Sequence, residues 1–568
     1  MSQSLQDTIA KALAAAKEKQ ATEGVRYPAK WNGIPTVAPA PAIPVKTSGA
    51  WEWNAEQTEA ISKGNVGESF CLIGAAGTGK TTTLRGMLQQ LVQSGRVPML
   101  QSGTQHLSVN TPGIVLVSFT RRAVRNIARQ MPPELRPHCL TIHKLIEFAP
   151  EEYWDTNEEG EQVRKMRFAP QKNAGSPLPR ELKIIVLDES SMISTDLMRQ
   201  LLDALPNRHT VQFIFLGDLN QLPPVYGNAI LGKSLLELPI VELTQVYRQA
   251  LESPIIALAL GVKNNNFRQF NKDAHELWGA PAGWDVKDVK EKIVLEKPGR
   301  GKVTIQPWKR KFEMDQSLGM MQDQVCKWID DGYYNPDEDL ILCPWKKPDT
   351  FSTEELNRAI AQKLSRIRDL LVFEVIAGYN KHYFSVGDKI LVDKQDAVIE
   401  SIEPNPKYVG KKPAKPSKTM TRWGVGAEID LETANHQDID ELLQNLAEVE
   451  DRTAECSHII RVKMLDTDET VQITKSAVIN NSSFAYAITV HKAQGSECRK
   501  VFFLTHYCHS KMLFRELVYT ALTRAAEELH IVCSPMMLSS AAGRPRIKGD
   551  TLQAKLEFYA QRFKEELE

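Results

Sequence analysis

Cysteine is scarce and scattered in this sequence. Eight residues (Cys71, Cys139, Cys326, Cys343, Cys456, Cys498, Cys508 and Cys533) are spread over 568, and no two stand in a C-x-x-C spacing. That excludes a zinc ribbon and a disulfide-built scaffold and fits a reducing compartment. Long apolar runs are missing too: no stretch approaches the roughly 18 uninterrupted apolar residues of a membrane span, so no membrane association is expected. The first residues lack the apolar run of a secretory signal, and Asp7 and Glu18 are unlike a transit peptide, so a cytoplasmic protein is expected. Excess charge of one sign is also absent, with Lys+Arg and Asp+Glu equal at 70 each, so net charge identifies no partner. No repeat of solenoid type is present.

What remains is ordinary globular material, 42% apolar and 25% charged, in a chain too long for one core. Residues 4–19 place Leu5, Ile9, Leu13 and Ala16 at helical spacing, and Pro28, Pro35, Pro39, Pro41 and Pro44 follow at a density that prevents helix. Residues 1–45 therefore read as an arm, either a solvated tail or a docking segment. Apolar runs at Phe70–Ile73, Ile114–Val117, Ile184–Leu187 and Val211–Leu216 alternate with helical stretches, the pattern of a doubly wound parallel sheet over residues 46–240. An insertion at about 148–182 holds a hairpin-like pattern near 151–168, with Tyr153 and Trp154 either exposed or packing the insertion's own small core.

A second α/β pattern occupies 241–545, with strands expected at Leu340–Cys343, Lys389–Val392, Ala485–Thr489, Val501–Leu504 and Leu529–Cys533. It breaks at about 393–477, where a small, partly β insertion is expected. There residues 404–422 carry six Lys/Arg and no acid, and 427–455 carry ten acids against Arg452. Residues 546–568, with Leu552, Leu556, Tyr559 and Phe563, read as an amphipathic C-terminal helix.

The chemistry concentrates at strand ends. Gly74-Ala75-Ala76-Gly77-Thr78-Gly79-Lys80-Thr81 fits G-x-x-x-x-G-K-[ST] between a strand and a helix. Its glycines allow backbone N–H groups to turn inward around phosphate oxygens, and the helix start adds a positive end. Lys80 then reaches the β- and γ-phosphates, and the Thr81 hydroxyl is placed for Mg²⁺. The strand Ile184–Leu187 ends in Asp188-Glu189, a metal-holding carboxylate followed by a base for the attacking water. Alone such a pair is also a helix cap; after a phosphate loop in the same sheet it points to nucleotide hydrolysis. Gln221, in Gly217-Asp218-Leu219-Asn220-Gln221-Leu222-Pro223-Pro224, both donates and accepts and so suits a γ-phosphate sensor. Two lone arginines, Arg248 and Arg524, could stabilise charge on a transferring phosphoryl group, though a single Arg is more often a surface residue and only the surrounding blocks single these out.

Taken in order, these blocks resemble the RecD/Dda-like branch of the superfamily 1 DNA helicases. The resemblance runs over about residues 53–530. It includes Asn54-Ala55-Glu56-Gln57, the phosphate loop, Asp188-Glu189-Ser190-Ser191-Met192, the Gly217–Pro224 block, Tyr247-Arg248-Gln249, Ala485 to Glu497 and Tyr519 to Ala525. It departs slightly at Ser190 and Ala493, where Ala and Ser are usual. The resemblance implies an α/β fold of two RecA-like doubly wound parallel-sheet domains with ATP between them. It implies a hairpin pin inserted in the first domain, with Tyr153 or Trp154 a possible wedge, and a small SH3-like β insertion in the second.

By the same resemblance, Gln57 reads adenine, Gly74 to Thr82 (Gly74, Ala75, Ala76, Gly77, Thr78, Gly79, Lys80, Thr81, Thr82) with Gly495 and Glu497 bind the nucleotide, and Lys80, Asp188, Glu189, Gln221, Arg248 and Arg524 catalyse. Single-stranded DNA, and junctions with duplex, fall to Phe119, Thr120, Arg121, Arg122, Thr141, His143, Lys144, Thr489, His491 and Lys492. Basic and hydroxyl groups with aromatic faces suit a sugar-phosphate track read without base specificity, though a solvated helix face has the same composition. The expected activity is ATP-dependent 5′→3′ translocation and unwinding by a monomer with ATP and Mg²⁺. The alternative is a DNA-stimulated ATPase that displaces or loads proteins. RNA shares the same backbone chemistry. The arm is the candidate contact for replication or recombination proteins.

Overall fold

The computed structural model describes residues 53–156, 162–223, 229–308, 320–346, 351–377, 380–392, 395–408, 415–418, 456–465, 469–473, 478, 483–534 and 536–565. The N-terminal arm, the acidic stretch 427–455 and part of the basic stretch before it lie outside the described residues.

The first half contributes β1 (Phe70–Gly74), β2 (Ile114–Ser118), β3 (Cys139–Thr141), β4 (Phe148–Thr156), β5 (Gln162–Pro170), β6 (Ile184–Leu187), β7 (Gln212–Gly217) and β8 (Ile240–Leu243). Six of these form an all-parallel sheet in the order β3-β2-β6-β7-β1-β8. Strands β2, β6 and β7 are buried along their whole length, as near-continuous apolar runs require when helices cover both faces. Side chains alternate between two cores: Leu72, Leu116, Val186 and Ile214 on one face, Cys71, Val115, Leu187 and Phe215 on the other. Strands β4 and β5 pair separately as an antiparallel hairpin, from Phe148 opposite Pro170 to Thr156 opposite Gln162. The side chains of Tyr153 and Trp154 lie outside the described residues.

The second half adds β9 (Ile293–Lys297), β10 (Gly301–Pro307), β11 (Leu340–Cys343), β12 (Val372–Ala377), β13 (Asn380–Ser385), β14 (Lys389–Val392), β15 (Gln395–Pro404), β16 (His458–Met464), β17 (Thr470–Gln472), β18 (Ser483–Phe484), β19 (Ala487–Thr489), β20 (Cys498–Leu504) and β21 (Ala525–Cys533). The second sheet runs β19-β11-β20-β21-β10-β9, parallel except for the antiparallel edge strand β9. A β-rich body is inserted into it: the β12–β13 hairpin and an antiparallel sheet β17-β16-β15-β14-β18, around Val375, Phe384, Ile390, Ile399 and Val462.

Three expectations are corrected. Lys389–Val392 is not a strand of the second parallel sheet; it hairpins directly into β15, Val392 opposite Gln395, and belongs to the insertion. A four-residue apolar run is equally compatible with either sheet, and only its partner decides. The insertion accordingly begins with β12, before residue 393. Strand β8, straddling the expected boundary at 240, pairs with β1 and completes the first sheet.

Leu222, from the loop after β7, is buried in the core of the second domain. In return Ile547, Leu556 and Tyr559, from the C-terminal end, are buried in the core of the first.

Candidate nucleotide cleft and strand interface

The strand order sets the cleft. Strands β6, β7 and β1 are neighbours, so Asp188, the Asp218–Gln221 loop and the phosphate loop leave the same edge side by side, where parallel sheets bind ligands. Gly77 and Gly79 have φ of +80° and +84°, values a side chain resists. The buried Thr78 hydroxyl donates to Ala75 O at 2.9 Å and fixes the loop. Helix Lys80–Gln93 starts without a side-chain cap, leaving its first N–H groups for an anion. Lys80 Nζ donates to Gly74 O and Ala75 O at 2.6 and 3.1 Å. Thr81 and Thr82 follow on the first turn, half-buried.

Beyond β6, burial and then the Glu189 charge push the Asp188 carboxyl above the usual carboxylate range, partly offset by the Glu189 N–H and Lys80. Glu189 has φ of 49°, left-handed backbone in a non-glycine residue, at a cost of about 1 kcal/mol. Such strain concentrates at functional positions. Ser190 Oγ donates to Leu216 O at 2.6 Å and ties the turn to β7. Ser191 Oγ and Gln221 Oε1 are buried with no hydrogen-bond partner among the described residues, an expense normally relieved by a ligand or water. The Asp188 carboxylate and the Thr81 hydroxyl make an all-oxygen donor set. It fits a hard cation such as Mg²⁺ that takes its other ligands from phosphates and water. Among the described residues no group of three or more His, Cys, Asp or Glu forms a metal cage.

Gln57 is buried and closes a capping box with Asn54: its N–H donates to Asn54 Oδ1 at 2.8 Å, and its Oε1 accepts from Asn54 N at 3.2 Å. The same Oε1 accepts from Tyr247 Oη at 2.6 Å, and the Tyr247 ring lies over Gly79. The 244–250 segment thus folds across the phosphate loop. The Arg248 side chain lies outside the described residues.

The second domain enters this cleft through the helix Arg515–Leu522. Tyr519 Oη accepts from the phosphate-loop N–H of Ala76 at 2.9 Å and donates to Asp218 Oδ2 at 2.7 Å. Burial, then Asp218, hold the Tyr519 phenol well above its ordinary value, so it stays a donor. Thr520 Oγ1 accepts from Leu222 N at 3.1 Å, and Gln494 Nε2 donates to Leu222 O at 2.8 Å. Arg524 is buried and spends its donors within its own domain, on Thr520 O, Ser496 O and Thr523 Oγ1. In this conformation it contacts the second domain's own backbone rather than the phosphate loop.

The strand-side residues gather at the ends of β2, β3 and β19. Thr120 and Thr141 cap the helices after β2 and β3, accepting from Ala123 N at 3.2 Å and Lys144 N at 3.1 Å. His143 sits between the rings of Phe119 (5.7 Å) and Phe148 (4.8 Å) at the base of the β4–β5 hairpin. Arg121, Lys144 and Lys492 are exposed and His491 half-buried. Burial, then Arg546, lower the His491 pKa. Thr489 Oγ1 accepts from Lys492 N at 3.4 Å. Gly495 abuts Thr120 and Ala123, and its carbonyl accepts from Asn126 Nδ2 at 2.9 Å; Glu497 is exposed. Arg122 is not simply presented to solvent. It forks onto Asp396 of the insertion, with Nε to Oδ2 at 2.7 Å and a second bond from Nη2 to Oδ1, and Arg125 lies 3.7 Å from the same carboxylate. Burial alone would raise the Asp396 pKa, but Arg122, with Lys389 and Arg125, holds it below the usual range.

Sequence reasoning missed Tyr247, Tyr519, Phe148 and Asp396. The two tyrosines stand inside blocks already singled out for their arginines, and that placement was the available signal. Asp396, a lone acid in a hairpin, carried none.

Two family models match the chain: an AAA domain over residues 57–227 and a UvrD-like helicase C-terminal domain over 484–532. The ATP-dependent RecD2 DNA helicase of Deinococcus radiodurans is 25% identical over 475 residues, covering 84% of this chain and 48% of that protein. The RecBCD enzyme subunit RecD of Mycolicibacterium smegmatis is 22% identical over 517 residues, covering 88% of this chain and 75% of that one. The chain therefore spans about half the length of the first relative and three quarters of the second. Among solved structures, Bacteroides Pif1 bound to ssDNA is 14% identical with a TM-score of 0.39, covering 84% of this chain and 92% of that chain. The phosphate loop and Asp-Glu pair lie inside the first matched region, the Tyr519 helix and Arg524 lie inside the second, and over most of its length the chain is similar to RecD-type helicases.

Proposed function

We propose that the chain is an ATP-driven motor that moves 5′→3′ along single-stranded DNA and separates duplex ahead of it. One observation carries this reading most: Tyr519 of the second domain bonds at once to the phosphate loop at Ala76 and to Asp218 beside Gln221. Through these two bonds a rearrangement of those loops around a γ-phosphate is passed to the second domain.

In this reading the phosphates draw Lys80 away from the Gly74 and Ala75 carbonyls, and Glu189 takes the proton of the attacking water. Mg²⁺, when bound, neutralises phosphate charge, with Thr81 and Asp188 as its protein ligands. Gln221 senses the γ-phosphate by donating from Nε2, and its unpartnered Oε1 is left to accept from the attacking water. Arg524 leaves its carbonyl partners to reach the transferring phosphoryl group, and Arg248 meets the same group from the 244–250 segment. Gln57 and Tyr247 part to admit the base.

The strand track is Phe119, Thr120, Arg121, Thr141, His143 and Lys144 on the first domain, with Thr489, His491 and Lys492 on the second. Arg122 joins it once released from Asp396. The β4–β5 hairpin, rising from the Phe119–His143–Phe148 cluster, acts as the pin, and the β12–β18 body as the SH3-like element beside the track. The direction of travel follows the RecD resemblance. Replacing residues 151–168 by a short turn should abolish unwinding while ATP hydrolysis stays stimulated by single strands. Loss of both activities would overturn the pin assignment. Stimulated hydrolysis in the intact chain with no unwinding of any substrate would favour a protein-displacing ATPase instead.

A further inference from the structure

The apolar residues Leu552, Leu556 and Tyr559 of the C-terminal helix Leu552–Glu565 pack on the core of the first domain, although the second domain precedes the helix in sequence. Residues 546–550 leave the second domain with Glu516 accepting from Arg546 N at 3.0 Å and Ile547 N at 2.9 Å, and with Arg515 paired to Asp550. The helix then lies on the first domain. Gly232 has no Cβ where one would come within 2.6 Å of the Tyr559 ring, so the tyrosine seats directly on helix Ile230–Glu237. On the apolar face of this helix, three residues after Leu552 and four before Tyr559, stands Lys555.

Lys555 is only 7% exposed. Its Nζ donates to Leu219 O at 3.1 Å and Asn220 Oδ1 at 2.6 Å. Those two residues are the middle of the loop that carries Gln221. Asn220 passes the contact on, since its N and Nδ2 both donate to Asp218 Oδ1 at 2.9 Å. The second domain holds the two ends of this loop, Asp218 through Tyr519 and Leu222 through Thr520 and Gln494. Lys555 reaches its middle. A cavity of about 150 Å³ separates the lysine from Gly74, Ala75 and Thr78 of the phosphate loop. Burying an ammonium is expensive unless it is hydrogen-bonded, and an aliphatic residue would fill the same helix face at less cost.

We propose that Lys555 is a positioning residue for Gln221, and that the C-terminal helix is a working part of the nucleotide switch. The inference rests on the reading of the cleft as an ATP site. The charged groups around the ammonium are Asp218 on the loop, Lys263 of helix Pro254–Lys263, and Arg515 and Glu516 of the Tyr519 helix; Glu242 and Asp550 line the adjoining cavity. Burial, with Lys263 and Arg515, outweighs Asp218 and Glu516 and brings the Lys555 pKa down to about 8. The charge that grips the loop is therefore lost as pH rises through about 8. Stability moves the other way: between about 8 and the unfolded value near 10.5 the folded chain binds fewer protons, so the burial penalty is relieved as pH rises. A lysine with a merely structural role changes stability in that window and leaves turnover alone.

The test is single-strand-stimulated ATP hydrolysis by the full chain from roughly pH 6.5 to 9.5, with an oligo-dT activator, for wild type, Lys555→Met and Asn220→Ala. Wild-type turnover should fall above about pH 8. Lys555→Met should lose about tenfold in kcat at neutral pH, keep KM for ATP within about twofold, and lack the alkaline limb. Asn220→Ala, which leaves the helix untouched, should lower kcat in the same sense if Lys555→Met does not fold. A folded Lys555→Met, or failing that Asn220→Ala, with wild-type kcat and the wild-type alkaline limb would overturn the proposal. A wild-type chain without ATP hydrolysis would overturn the ATP-site reading itself, a result distinguishable from either variant's behaviour.

Discussion

The two ends of the interface between the sheet domains are built from different chemistry. At the nucleotide end the contacts are enclosed hydrogen bonds, neutral except for the Asp218 carboxylate: Tyr519 to Ala76 and Asp218, Thr520 and Gln494 to the two backbone groups of Leu222. At the strand end the tie is ionic, Arg122 forked on Asp396 with side chains 17% and 9% exposed. Each neutral hydrogen bond is worth about 1 kcal/mol net and depends on geometry, so a loop shift is enough to exchange it, and salt hardly matters. An arginine fork at the rim responds to competing anions instead, and a DNA phosphate is such a competitor. One end of the interface is suited to reading shape, the other to reading charge.

Replacing the catalytic groups should have the largest effect. Glu189→Gln should bind ATP normally and hydrolyse it at least about 10³-fold more slowly; persistent hydrolysis would remove Glu189 as the base. Next comes Tyr519→Phe, which keeps the ring and deletes both bonds of the phenol. Stimulated turnover should fall about ten- to a hundredfold, with the ratio to wild type constant between low and high salt. A ratio that changes steeply with salt would erase the contrast between the two ends.

Asp396→Ala acts at the other end. Releasing Arg122 and Arg125 should tighten single-stranded oligonucleotide binding several-fold and steepen the log–log salt dependence by about 0.7 per arginine gained. Weaker binding with an unchanged slope would mean that the pair organises the track rather than competing with it. The smallest effect concerns protons. Because the folded Asp188 pKa is raised, the metal-free folded chain carries extra proton near neutral pH, and its stability falls as pH rises from the ordinary carboxylate range toward the raised value. Mg²⁺-nucleotide binding should therefore release protons, measurable by calorimetry in buffers of different ionisation enthalpy, and Asp188→Asn should release fewer.

The legible part of this molecule is the part whose chemistry is local. A phosphate loop needs its glycines and lysine in one stretch between a strand and a helix, and Asp188-Glu189 needs only an apolar strand before it. Strands β1, β2, β6 and β7 were legible for the same reason, being fully apolar runs bounded by turn residues. What escaped depends on partners far away in sequence. Lys389–Val392 reads as a parallel core strand until its hairpin partner is known. Leu222 looks like a loop residue until the second domain closes over it. Lys555 stands beside Leu556 in the stretch read as an amphipathic helix, yet nothing local names Leu219 and Asn220 as its acceptors. Gly495 was expected at the nucleotide, and its contacts with Thr120 and Ala123 follow from the closed arrangement of two domains that no motif encodes.

The most direct test of the motor is unwinding of a short duplex carrying either a 5′ or a 3′ single-stranded tail, with ATP and Mg²⁺. The account predicts unwinding of the 5′-tailed substrate alone, abolished in Glu189→Gln. Unwinding of the 3′-tailed substrate would contradict the direction, and unwinding of neither would contradict the motor.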